Sequence, residues 1–261
     1  MFSNAIEDIK DAYHSRHLWL AMGWQDIRLR YRRSKIGPFW ITISMAITIA
    51  AMGPLYGMLF KNDLNTFIPR LTLGVILWGY MSGMMNDFSD SFAGSAHYIR
   101  QMKLPMSLFI FRIMWRHTII MAHNLVIFII ELFVLPIAVN WHALLFIPGI
   151  VLVAANLFWI GVLAGIFCTR FRDMQPIVSN LISLLFFVTP ILWNVDQLSP
   201  QRQHLIYLNP FTGFLDITRQ PLLGQLPPTW IWGFATATLV IGSACALALF
   251  SRYKHRIAYW I

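Results

Sequence analysis

Residues 19–40 read WLAMGWQDIRLRYRRSKIGPFW, a basic and aromatic-rich stretch that runs directly into a long apolar one. Wound as a helix at about 100° per residue, it puts Leu20, Trp24, Ile27 and Tyr31 on one narrow stripe. Asp26, Arg30 and Arg33 fall on the opposite side, flanked by Arg28 and Arg32. Such a helix, expected over about residues 18–35, lies in the plane of a membrane interface with its apolar face down and its cations near anionic head groups. Gly37-Pro38 is expected to end it, because proline disfavours helical geometry in the residue before it.

Composition agrees with a membrane setting. The chain is 57% apolar and only 12% charged, where soluble domains have about 45–50% and about 25%. Residues 1–17 are polar, so no cleavable leader is expected. Apolar runs at about 38–60, 71–88, 108–139, 144–168, 176–193 and 229–250 read as six transmembrane helices. The third is too long for one perpendicular crossing of about 20 residues, and Arg112, Arg116, His117, His123 and Asn124 make its first half polar. It is expected to begin well below the bilayer or to break near His123-Asn124. Residues 194–228 carry Pro200, Pro210, Pro221, Pro227 and Pro228, with apolar pieces too short to span; they read as re-entrant or interfacial short helices. The expected class is an all-α membrane protein. It has a lead-in and amphipathic helix over 1–37 and a six-span domain over 38–261.

Charge placement orients this arrangement. Lys61, Arg70, Arg202 and Arg219 fall on the far side, and the rest of the 20 lysines and arginines collect with the termini. The positive-inside rule then puts both termini in the cytoplasm. The formal charge of +9 therefore reads as topology and not as a nucleic-acid surface.

No GxxxxGK[ST] loop, HExxH, GxSxG or spaced His/Cys cluster occurs, so the sequence offers no nucleotide cradle, no metal site and no catalytic set. Cys168 and Cys245 lie in apolar segments and read as small buried hydrophobes. Glu131 is the acid most clearly inside a span; it either faces a pore or neighbour, or packs as a hydrogen-bonded carboxyl. Asp87 and Asp90 read as interfacial or paired with basic residues. Gly53/Gly57 and Gly161/Gly165 have the small-xxx-small spacing of closely packed membrane helices, with packing inside the chain favoured over a dimer seam.

These features together resemble the membrane subunits of type 2 ABC exporters, closest to the branch that exports O-antigen, capsular polysaccharide and teichoic acid. The resemblance is carried by DIRLRYRRSKIGPFW before the first span and AGSAHYIRQMKLPMS between spans two and three. RFRD at 170–173 and LNPFTGFLDITRQPLLG at 208–224 complete it. It implies a homodimer served by two copies of a separate ATPase, which would bind ATP and Mg; this chain would hold no cofactor. It implies a coupling helix over about 93–101, with Tyr98, Ile99, Arg100, Gln101 and Lys103 meeting the ATPase. The amphipathic segment becomes a gate helix, where Trp24, Arg28, Arg30, Tyr31, Arg32 and Arg33 would meet membrane lipid or the pyrophosphate of a lipid-linked glycan. Tyr56, Phe186 and Phe187, with Glu131, are the implied channel-lining residues. The implied location is the bacterial inner membrane. Two other functions fit the same sequence less well. One is a type 2 exporter subunit for lipids or drugs. The other is a membrane-embedded transferase acting on lipid-linked sugars, for which Asp87, Asp90 and Asp173 are the nearest catalytic candidates.

Overall fold

A computed structural model describes residues 3–30, 32, 36–37, 39–195 and 198–261. Their regular structure is entirely helical: α1 (Ser3–His14), α2 (Arg16–Arg30), α3 (Phe39–Leu59), α4 (Leu64–Phe88), α5 (Ala96–Gln101) and α6 (Ser107–Val134) come first. A 3-10 turn (Trp141–Leu145) leads into α7 (Phe146–Arg170), followed by α8 (Met174–Val188), α9 (Pro200–Ile206), α10 (Pro210–Leu222) and α11 (Thr229–Trp260).

Local chemistry sets most of these boundaries. Leu135 is extended (φ −111°, ψ 147°) because Pro136 follows it, so α6 stops at Val134. Thr189 is extended before Pro190 for the same reason, which ends α8 at Val188 and not near Trp193. Asn209 caps α10 by accepting from the Phe211 amide, with Pro210 in the first turn. Gly224 (φ +74°) closes α10 in the left-handed region, and a Cβ there would meet the Ala138 carbonyl oxygen, so only glycine fits. Of the two alternatives expected for this span, the break at His123-Asn124 does not occur: α6 runs unbroken through both, and the His123 ring bonds back to the Ile119 carbonyl within the helix.

Among the described residues, four helical stretches are long and apolar enough to cross a membrane: Phe39–Leu59, Ser107–Val134, Trp141–Arg170 and Thr229–Trp260. Large apolar side chains stand outward on them, such as Ile47 and Met58 on α3, Phe133 on α6 and Ile241 on α11. Outward-facing apolar surface on long helices is the pattern expected where lipid is the solvent. The two remaining expected spans differ. α4 is long enough, at about 37 Å for 1.5 Å per residue, but it carries Asn65, Arg70, Asn86 and Asp87. It lies inside the bundle, packed by α3, α6, α7, α8 and α10, so its faces need protein neighbours and not lipid. α8 has 15 residues, about 22 Å, which is short for a hydrocarbon core of about 30 Å.

Both small-xxx-small pairs serve packing inside the chain. Gly161 and Gly165 of α7 seat the rings of Phe88 and Phe92, which would lie within 3 Å of an added Cβ. Gly53 and Gly57 of α3 seat Ile68 and Leu64 of α4. α11 continues as helix past Phe250 through the basic residues Arg252, Lys254 and Arg256, well beyond the expected end of the last span.

Candidate coupling and gate site

The end of the bundle where α4 finishes gathers the predicted coupling and gate residues. After Phe88 the chain turns through residues 89–95, forms the one-and-a-half-turn α5, and re-enters the bundle at Ser107. The expected coupling helix over 93–101 is thus shorter at its start, because residues 91–95 are turns. Gln175, at the start of α8, donates to the Ser89 carbonyl (3.2 Å) and to Asp90 (3.2 Å), which fixes this loop from the side.

On α5 and just after it, Tyr98, Arg100, Gln101 and Lys103 are exposed, while Ile99 turns inward and is half-buried against the core. Tyr98 lies under the Arg112 guanidinium, 5.8 Å from its ring centre. Arg100 hydrogen-bonds the Ile261 carbonyl oxygen. Four of the five expected ATPase contacts are therefore presented together on a surface, and the fifth anchors it.

Beneath this surface lies an ion network that the sequence reading did not assemble. Asp26 of α2 accepts from Arg112 Nε (2.8 Å) and Nη2 (2.5 Å), and from Arg116 Nη1 (2.9 Å). Arg116 reaches on to Asp87 of α4 (2.7 Å), which also meets His117 Nε2 (2.5 Å). Asp26 was expected on the outward face of the gate helix. It faces inward, because two half-buried guanidinium groups one turn apart on α6 require a carboxylate and α2 supplies it. The buried strip of α2 is Gly23 and Ile27, beside half-buried Trp19 and Asp26. Asp87 pairs with basic neighbours as expected. The available sequence signal was Arg112/Arg116 at i,i+4 on a helix entering an apolar environment.

A second anchor lies alongside. Asp8 of α1, 2% exposed, accepts from the backbone amides of Met106 (3.0 Å) and Ser107 (2.8 Å) and from the Ser107 hydroxyl (2.6 Å). It also pairs with Lys254 of α11 (2.9 Å). A residue 99 positions upstream thus caps α6, satisfying amides that a helix start leaves open.

The remaining gate candidates Trp24, Arg28, Arg30 and Arg32 are exposed; Tyr31 and Arg33 lie outside the described residues. The channel candidates make different contacts, and Phe186 and Phe187 meet edge to face (5.3 Å). Tyr56 of α3 stacks on Phe60, the residue just past the end of that helix (6.0 Å). Phe186 is half-buried against Trp78 (6.1 Å), and the neighbouring Phe187 is 70% exposed. Glu131 Oε1 accepts from Thr72 Oγ1 of α4 (2.5 Å), a helix-packing hydrogen bond.

The opposite end of the bundle holds a polar cavity of about 400 Å³. It is bounded by the α3–α4 turn, the chain after α6, the segment after α8, and α10. Arg219 and Asp216 of α10, 1% and 2% exposed, form an ion pair at 2.9 Å. Arg219 also donates to the Pro190 carbonyl (2.9 Å), and the Tyr207 hydroxyl donates to Asp216 (3.1 Å).

Comparison with known proteins adds the following. The sequence profile of the family described as ABC-2 type transporter matches residues 17–223. An O-antigen export system permease protein of Myxococcus xanthus is 27% identical over 221 residues, 80% of this chain and 82% of that protein. An O-antigen export system permease protein of Klebsiella pneumoniae is 25% identical over 244 residues, 90% and 91% respectively.

Proposed function

This chain belongs to the ABC-2 type transporter family as a membrane subunit, and from that premise we propose that it exports a lipid-linked polysaccharide of the O-antigen or capsule type across a bacterial inner membrane. The observation that carries the reading is the similarity to O-antigen export permeases over most of both chains. The aromatic side chains of the bundle suit that cargo, since ring faces pack on the C–H faces of sugars.

In the proposed assembly the chain crosses the membrane six times, with α4 and α8 joining the four apolar helices, and works as a homodimer above two ATPase subunits. An even number of crossings is supported by Lys254 bridging to Asp8, which brings the first and last helices together at one end. The dense basic charge at that end favours a cytoplasmic placement. The ATPase meets Tyr98, Arg100, Gln101 and Lys103. Its movement reaches α4 and α6 through the two ends of the α5 loop, and reaches α2 through Asp26. The movement is passed on rigidly because a half-buried, multiply bonded ion cluster has few alternative arrangements. The exposed Arg28, Arg30 and Arg32 then face the head-group region where a lipid pyrophosphate arrives.

The rival transferase reading requires a convergent set of acid, base or metal ligands, and among the described residues no three His, Cys, Asp or Glu gather where they could hold a metal ion. Asp87 pairs with Arg116 and His117 in the ion network that ties α4 to α6 and, through Arg116 and Asp26, to α2, a structural use that supports the transport reading. The test is deletion of the gene in its host, followed by gel analysis of surface polysaccharide and of lipid-linked glycan. Loss of surface polymer with accumulation of the lipid-linked form is expected. Normal surface polymer, or loss of the lipid-linked form itself, overturns the reading.

A further inference from the structure

We propose that the tip of α11 positions the ATPase-facing surface: it joins the α5 loop and the loop between α7 and α8 into one body, with Trp260 as the positioning residue. This rests on the ATPase-driven reading above and adds to it a link outside both loops.

α11 has 32 residues, about 48 Å of helix, against a hydrocarbon core of about 30 Å. Roughly its last three turns therefore stand clear of the lipid, at the pole where α1 and α5 lie. One side of this projection is held on α1, where Lys254 bonds Asp8 (2.9 Å) and the Asn4 carbonyl (3.3 Å). Tyr253, Ile257 and Trp260, spaced four and three apart, share the neighbouring face. Ile257 is fully buried, and the rings of Tyr253 and Trp260 lie 5.8 Å apart.

The tip meets both loops. The Arg170 guanidinium, at the end of α7, stands over the Trp260 ring, 5.4 Å from its centre, in a cation–π contact. The Ile261 carbonyl oxygen accepts from Arg100 of α5. A helix end leaves carbonyls without partners in the helix and carries partial negative charge, so guanidinium groups suit it. The two loops are linked again on their far side, where Gln175 at the start of α8 donates to the Ser89 carbonyl and to Asp90 (3.2 Å each). The contacts close a circuit: α5, the tip of α11, Arg170, the α7–α8 loop, Gln175, and back to the start of the α5 loop.

The circuit matters because its links are weak singly. Arg100 and Arg170 are exposed, and polar contacts in water open readily. A second contact between the same two bodies holds the first closed, since reforming it is intramolecular. Either link alone keeps the loops together, and only the loss of both lets them move apart. A push on α5 then reaches α7 and α8 as well as α4 and α6. Trp260 works inside this surface and not as a contact of its own: it is half-buried, between Arg170 and Tyr253.

The experiment is a double-mutant cycle with Trp260→Ala and Gln175→Ala in the full chain purified with its ATPase. It reads the stimulation of ATP hydrolysis that the chain gives its ATPase, with surface polymer measured in the host cells. Each single variant should keep at least about half of the parental stimulation. The pair should lose at least about tenfold, where independent effects would multiply to about fourfold. Trp260→Phe keeps a ring under Arg170, and combined with Gln175→Ala it should stay within about twofold of Gln175→Ala alone. Elution and the amount of co-purified ATPase should stay parental throughout, which a merely structural role for Trp260 does not predict. A pair no worse than the product of its singles overturns the proposal. So does loss of ATPase from the Trp260→Ala complex, or a phenylalanine variant as poor as the alanine one. If the pair does not accumulate, Arg170→Gln with Gln175→Ala opens the same two links from the other side and is judged by the same criteria. Stimulation is read without cargo, so a chain that passes this cycle yet makes no surface polymer fails only the export reading.

Discussion

Asp26 and Asp8 are single carboxylates on which several elements depend. Asp26 neutralises two guanidinium groups whose side chains are 19% and 18% exposed. Removing one partner of a buried pair costs about 3–5 kcal/mol, whereas exposed pairs contribute about 0–1. Partial exposure places Asp26→Ala between these, at about 2 kcal/mol. It should lower the temperature at which the detergent-solubilised protein loses its monodisperse peak, and Asp26→Glu should recover part of the loss. Asp8→Ala removes three hydrogen bonds at the α6 start and the ion pair of Lys254, which keeps its bond to the Asn4 carbonyl; a loss of about 1–3 kcal/mol is expected in the same assay. Ser107→Ala, which removes one hydroxyl bond, should cost about 1 kcal/mol or less. The sequence showed that Arg112 and Arg116, one turn apart on α6, needed partners, but not that Asp26 supplies one or that Asp8 caps the helix. Asp26 sits on the face that periodicity assigned to solvent, and its partners lie 86 and 90 positions away. Periodicity records which residues share a face and not what packs against it.

At the scale of elements, local grammar served better. Proline and its predecessor stop α6 and α8, asparagine and proline start α10, and glycine ends it, all within a few residues of sequence. The errors arose where a run of apolar residues continued past such a stop, as from Leu135 to Val139. Polarity inside α6 suggested either a start below the bilayer or a break near His123-Asn124, and the helix is continuous there, with Arg112 and Arg116 paired in its first half. Two outcomes test the elements. The double variant Arg100→Glu/Lys103→Glu should abolish most stimulation of the partner ATPase and most export, while its elution profile stays that of the parent. Unchanged coupling would remove α5 from the proposed role. Gly165→Leu places a branched side chain where Ser91 and Phe92 already sit, and it should cost several kcal/mol by overpacking, read as loss of folded protein in the membrane.

For the whole molecule, hydropathy marked outer and inner helices alike as spans and did not tell which of them protein encloses. α4 lacks the long apolar stretch found on α3, α6, α7 and α11, and it is enclosed on most sides by protein. The gathering of α1 and the end of α11 at one pole was anticipated from charge, through the positive-inside count. The polar cavity was not, since its lining comes from four separated segments. The proposed topology is checked by single cysteines in whole cells: Lys61→Cys should react with an impermeant maleimide, and Lys10→Cys should react only after the membrane is opened. The reverse pattern would invert the orientation.

The cap that Asp8 places on α6 also has a history in time. A ribosome completes Asp8 long before Ser107 exists, so the acceptor is already waiting when the third long helix of the bundle begins to emerge. Lys254 is made near the end, and only then is the carboxylate's charge balanced. Nascent chains released before residue 254 should therefore hold α1 against α6 but carry an uncompensated anion there. Quality-control proteases would meet this defect in unfinished copies and not in finished ones.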